Sequence, residues 1–199
     1  RAVVERLGVE FQTRYIDWSA KELELKSRRV DAVWNGMTIT EERKLEMTFS
    51  VPYFDNQLVI LSRANNPLKT IASLSNKNIG VELSSSADIA VSAREDIVSA
   101  VSQIKKYATS SDALLALQAG QIDVLIVDEI FARYEVLEKT SNLYVIGNEV
   151  LGHEEYGIGY RLGDVMLRDR IDAILDELYE EGIIETISIK YFGENLFKR

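Results

Sequence analysis

Asn35-Gly36-Met37-Thr38-Ile39-Thr40-Glu41-Glu42-Arg43 follows a short apolar run, Val30 to Trp34, and leads on to Phe49-Ser50-Val51-Pro52-Tyr53. The apolar run reads as a buried strand. Thr40 suits a helix N-cap, with Glu41 to Arg43 as the first turn. Strand, small-residue loop and arginine-bearing helix start together make a receptor for a carboxylate. Backbone N–H groups at a helix start face an anion, and the helix dipole favours one. Arg43 adds a fork that holds a carboxylate through two bonds. Gly36 lets the backbone approach a ligand closely, and Thr38 offers a hydroxyl.

Composition narrows the chemistry. The chain has 199 residues, 46% hydrophobic and 28% charged, which is ordinary for a globular protein. That length holds one sizeable core or two modest ones. The net charge of −9 argues against nucleic acid, because no basic stripe is present to neutralise phosphates. No apolar run is long enough to span a membrane. With no cysteine there is no disulfide, no thiolate metal site and no cysteine nucleophile. His153 is the single histidine. A Ser-His-Asp triad would have to use it, and no serine sits in a G-x-S-x-G elbow. A zinc site on these terms is improbable. We therefore expect no cofactor, no metal and no catalytic set.

The chain alternates strands and helices. Residues 1–8 end a helix, with Gly8 as its C-cap. Val9 to Ile16 reads as a strand, Ser19 to Arg28 as a helix, and Gln57 to Ser62 as a strand. Ala64-Asn65-Asn66-Pro67 breaks the chain. Then come strand Ile79–Glu82, helix Ser85–Arg94, strand Ile104–Ala108, helix Ser111–Ala119 and strand Ile122–Val127. Helix Glu129–Glu138 follows, then strands Leu143–Ile146 and Tyr156–Arg161. Asp164–Glu181 reads as a long amphipathic helix and Ile183–Tyr191 as a shorter one. Such alternation implies α/β architecture with mainly parallel sheets.

Asp128 ends an apolar strand, where an isolated charge is costly and a cationic ligand group would satisfy it. The same side chain also suits the N-cap of the Glu129 helix. Ser84, Ser85 and Ser86 open the helix after Ile79–Glu82, offering hydroxyls and N–H groups to an anion.

The stretch around Arg43 resembles the G-M-T-I-T-x-E-R…F-S-x-P-Y signature of the type II solute-binding proteins that serve polar amino acid ABC transporters. Gln118 to Glu129 resembles the family's L-x-x-G-x-x-D-a-x-x-x-D-E block. Tyr156 to Asp164 and Glu181 to Gly193 resemble its closing segments. The resemblance implies two α/β lobes, residues 1–62 with 155–199 and residues 63–154, joined by hinges near Leu61–Ala64 and Gly152–Tyr156. It implies that Arg43, Thr38 and Gly36 grip an amino acid's α-carboxylate, that Ser86 beside Ser85 assists, and that Asp128 takes the α-ammonium. Trp18 matches a position that often sets an aromatic over the ligand side chain. Glu82 matches a cleft position that varies with ligand, where a carboxylate suits an arginine- or lysine-like side chain, equally accepts the amide N–H of glutamine, or simply faces water. A glycine is common where Ser84 stands.

The implied function is extracytoplasmic amino acid binding by closure of the lobes, with delivery to a membrane permease. The implied location is the periplasm, or the cell surface as a lipoprotein. A receptor's ligand-sensing domain and a cyclohexadienyl-dehydratase-like enzyme are alternatives on the same fold. Family members begin with a further strand, central in lobe one, that this chain does not show; strand exchange with a second copy would fill the gap.

Overall fold

The computed structural model describes residues 1–135 and 143–199. The chain divides into two compact units, Arg1–Asp55 with Glu155–Arg199, and Asn56–Glu154. The strand expected over Gln57–Ser62 thus falls in the second unit, although the sequence suggests a lobe boundary after residue 62.

Unit one holds helices α1 (Ala2–Leu7), α2 (Lys21–Lys26), α3 (Glu41–Lys44), α8 (Val165–Glu180) and α9 (Ile183–Phe192). Its strands are β1 (Ala32–Thr38), β2 (Met47–Phe49) and the last part of β7 (Tyr144–Arg161). Both β1 and β2 pair with β7, and both pairings are antiparallel. The expectation of a mainly parallel sheet therefore fails for the pairings described in this unit. β7 is a return strand rather than the far end of a βαβ crossover, so it meets both neighbours head to tail.

Gly157 and Gly159 of β7 leave room for those neighbours. A Cβ on Gly157 would meet Ile39 at 2.8 Å, and one on Gly159 would meet Met47 at 3.1 Å. Leu25, Val33, Met37 and Met47 form the local core, with Ile16, Trp18, Val30 and Phe49 packed against it.

The strand expected over Val9–Ile16 is absent. Its backbone joins no ladder, and Val9, Phe11 and Tyr15 are exposed. Apolar residues make a strand only where a partner pairs their N–H and C=O groups.

Unit two is built on β3 (Phe54–Arg63), β4 (Asn78–Glu82), β5 (Gln103–Tyr107) and β6 (Val124–Asp128), in spatial order β3-β6-β4-β5, with the first part of β7 beside β3. β4 runs parallel to both β5 and β6, as expected, while β3 runs antiparallel to β6. Helices α4 (Ser86–Ser92), α5 (Glu95–Ala100), α6 (Ser110–Gln118) and α7 (Glu129–Tyr134) link the strands. Of the helix expected over Glu129–Glu138, residues 136–138 lie outside the described residues. The two strands expected over Leu143–Ile146 and Tyr156–Arg161 are parts of the continuous β7.

The unbroken apolar runs of β3 and β6 are explained by burial on both faces. Leu58, Ile60, Val124 and Ile126 enter one core cluster, while Val59, Leu61, Leu125 and Val127 enter another.

Tyr53 anchors an aromatic group in unit one. Its ring stacks on Phe197 at 5.9 Å and lies edge-on to Trp34 at 6.4 Å. Burial pushes its hydroxyl up from 10.0 to about 12, while bonds to the Gly36 backbone and Trp34 pull the other way. Burial likewise pushes Tyr160 upward. Between pH 10 and about 12 the unfolded chain releases the Tyr53 proton and the folded protein keeps it. Stability from this group is thus complete below pH 10 and falls as pH rises through that window, by about 2–3 kcal/mol. Urea unfolding followed against pH should show the alkaline loss, and Tyr53→Phe should make it shallower without abolishing it, since Tyr160 remains.

Candidate functional site

In unit one the signature loop is a bulge within a strand. Val33 pairs with Gly159, yet Met37 pairs with Gly157, so Trp34, Asn35 and Gly36 stand opposite the single Ile158 and β1 carries two extra residues. Bulges re-aim side chains next to binding sites. Gly36 takes φ +76°, and a Cβ there would meet the Tyr156 ring at 3.3 Å. Trp34 is thrown out to 42% exposure, although the sequence suggests a buried strand residue.

β1 resumes with the buried Met37 and Thr38. Thr40 then caps α3, its hydroxyl accepting from the Arg43 N–H at 3.2 Å. The cap sets the rotation of a very short helix and turns Arg43 inward, to 5% exposure. Arg43 Nη1 donates to the Thr38 carbonyl at 2.8 Å. Its guanidinium carbon lies 5.9 Å from the centre of the Trp18 ring. Trp18 also packs on the unit-one core. Gly36, Thr38, Arg43 and Trp18 thus occupy one region. A buried guanidinium placed by a carbonyl and an indole is suited to a carboxylate.

In unit two, β4 ends at Glu82 and the chain turns through Ser84 into α4. Ser84 has φ +60°, the left-handed conformation that favours glycine. Its N–H donates to Asp88 Oδ2 at 3.1 Å. Ser85 is the α4 N-cap and accepts from the Asp88 N–H at 3.1 Å. Ser86 is the first residue of the helix. Asp88, which the sequence did not single out, is buried and also pairs with Lys106 Nζ at 2.8 Å. It fastens the serine turn from below.

Glu82 is committed on one side. Its Oε2 accepts from the Ser110 N–H at 3.0 Å and the Ser110 hydroxyl at 2.5 Å, at the start of α6. The sequence offered no signal for this contact, because Ser110 is 28 residues away.

Asp128 ends β6 and immediately precedes α7. Its side chain makes no capping bond to that helix. Instead Oδ1 accepts from Asn56 Nδ2 at 3.1 Å. The same nitrogen donates to Glu154 Oε2 at 2.8 Å. Asn56 and Glu154 escaped the sequence reading; a polar residue heading the apolar β3 was the one available hint. His153 is exposed on β7, as its polar neighbours suggest. Among the described residues no group of three or more His, Cys, Asp or Glu is arranged to hold a metal. No described helix is long and apolar enough to cross a membrane.

The strained positions yield a stability test. Gly36→Ala should lower the free energy of unfolding by about 1–2 kcal/mol, because it adds a side chain at positive φ against an aromatic ring. Ser84→Val should do the same through its branched Cβ. Urea titration of both variants checks this; unchanged midpoints would mean that the backbone at these positions relaxes freely.

Known proteins of similar sequence and structure agree with one another. The L-cystine-binding protein TcyJ of Escherichia coli is 27% identical over 198 residues, covering 98% of this chain and 73% of that protein. The arginine-binding extracellular protein ArtP of Bacillus subtilis is 26% identical over 198 residues, covering 96% and 74%. The crystal structure of a Streptococcus pneumoniae ABC uptake transporter substrate-binding protein with bound histidine superposes with a TM-score of 0.94 at 30% identity, over 100% of this chain and 82% of that one. These relatives are named as binding proteins rather than enzymes. The model of the bacterial extracellular solute-binding proteins, family 3, matches residues 1–194, and the chain belongs to that family.

Proposed function

We propose that this protein binds a free amino acid outside the cytoplasm, by closure of its two units on the ligand, and passes it to the permease of an ABC transporter. Arg43 takes the α-carboxylate, with Thr38 and the Gly36 backbone beside it. Asp128 takes the α-ammonium. Ser86 and Ser85 add polar contacts, and Trp18 flanks the ligand side chain.

The observation that carries this reading is the buried guanidinium of Arg43, at 5% exposure within the family's signature. Each unit alone meets one charge of a zwitterion. A ligand that engages both sets of groups stabilises the closed state by its differential contacts. The periplasm, or the cell surface through a lipid anchor, is the proposed location.

Glu82 supports a cationic side chain as the ligand class. Ser110 occupies one of its oxygens, and the carboxylate stays on the strand end that carries the serine turn. Named relatives bind arginine, histidine or cystine. Arginine is the best fit to a carboxylate at that position.

A thermal-shift screen against the standard amino acids and cystine, followed by calorimetry, tests the reading. A ligand at 100 times its dissociation constant should add about 2.7 kcal/mol to stability. Arg43→Ala should remove about 2–5 kcal/mol of binding energy, as expected when one partner of a desolvated charge pair is truncated. An Arg43→Ala protein that binds as tightly as wild type would overturn the carboxylate assignment. Binding of neutral or acidic amino acids with no response to lysine or arginine would remove the cationic specificity alone.

A further inference from the structure

Asn56 and Glu154 are the first and last residues of unit two, the points at which the chain passes between the units. Asn56 is buried, with 3% exposure. Its Nδ2 serves two acids at once, Asp128 Oδ1 at 3.1 Å and Glu154 Oε2 at 2.8 Å. Its own Oδ1 is buried without a hydrogen-bond partner. The reversed amide would aim that carbonyl oxygen at two carboxylates, so the acids dictate its orientation. The side chain leaves one polar atom unsatisfied in order to present its donors to the acids.

Asn56 thus brings two carboxylates to one amide nitrogen. On the amino-acid reading, the ligand's ammonium meets an Asp128 that a buried amide holds. The Asp128 side chain makes no capping bond to α7, and the Asn56 amide donates to it instead.

We propose that Asn56 is a positioning residue for ligand binding. It acts through Asp128, holding the carboxylate in place for the ligand's ammonium and tying it to both crossing points of the chain. The inference rests on the amino-acid reading above.

The test is a double-mutant cycle by calorimetry, with L-arginine, L-histidine, L-glutamine and L-cystine as probes. Asn56→Ala should weaken the bound probe about tenfold in the wild-type background. In the Asp128→Asn background the same change should cost less than twofold, because the group through which Asn56 acts is already altered. A merely structural role would lower affinity by the same factor in both backgrounds, and that result overturns the proposal. Unchanged affinity in Asn56→Ala overturns it as well. Should Asn56→Ala fail to fold, Asn56→Ser carries the same comparison. It retains one donor, and should lose less than tenfold in the wild-type background and nothing measurable beside Asp128→Asn. A wild-type protein that binds none of the four probes overturns the amino-acid reading for them, and this inference with it.

Discussion

Backbone pairing along β7 is the constraint on which the described structure rests. Tyr144–Arg161 gives its last part to unit one, where both β1 and β2 pair with it. Its first part lies beside β3 in unit two. Every strand of unit one therefore finds its hydrogen bonds on this one element. The demand reaches into sequence as Gly157 and Gly159, whose missing side chains admit Ile39 and Met47. It reaches into the site as the bulge at Trp34–Gly36, because extra residues on β1 opposite a regular β7 have to leave the ladder.

The charged groups lie where strands end. Arg43 follows β1, Glu82 ends β4, and Asp128 ends β6. Open α/β sheets present ligands with the carboxyl ends of their strands, where side chains converge without breaking the apolar layers. Each charge is held by a different device. Arg43 is set by a threonine cap and a carbonyl, Glu82 by the start of α6, and Asp128 by an amide from β3. Placement by hydrogen bonds fixes the direction of each of these groups.

Much of this was legible in the sequence, because local rules govern it. Thr40 capping the Arg43 turn, Gly8 ending α1, and the apolar β6 leading to Asp128 follow from capping and periodicity. The α/β class follows from alternation. The failures have physical reasons too. Val9–Ile16 has strand composition, but composition carries no information about a pairing partner. Antiparallel pairing in unit one depends on the path of a strand more than a hundred residues later in the chain. The bulge depends on register, which a one-strand reading does not contain.

Asn56 shows why the site was less legible than the fold. Its sequence setting, between Asp55 and Gln57, suggests a polar approach to a strand. Its importance comes from Asp128 and Glu154, 72 and 98 residues away. Ser84 is the converse. A serine takes the left-handed backbone that favours glycine, fastened through its N–H to Asp88. The α4 entry thus takes a left-handed backbone against the serine's local preference, with the buried Asp88 carboxylate accepting its N–H. A residue-by-residue comparison registers Ser84 as a departure and passes over Asn56. Hydrogen bonding reverses that weighting, because a site is defined by where its acceptors and donors are held.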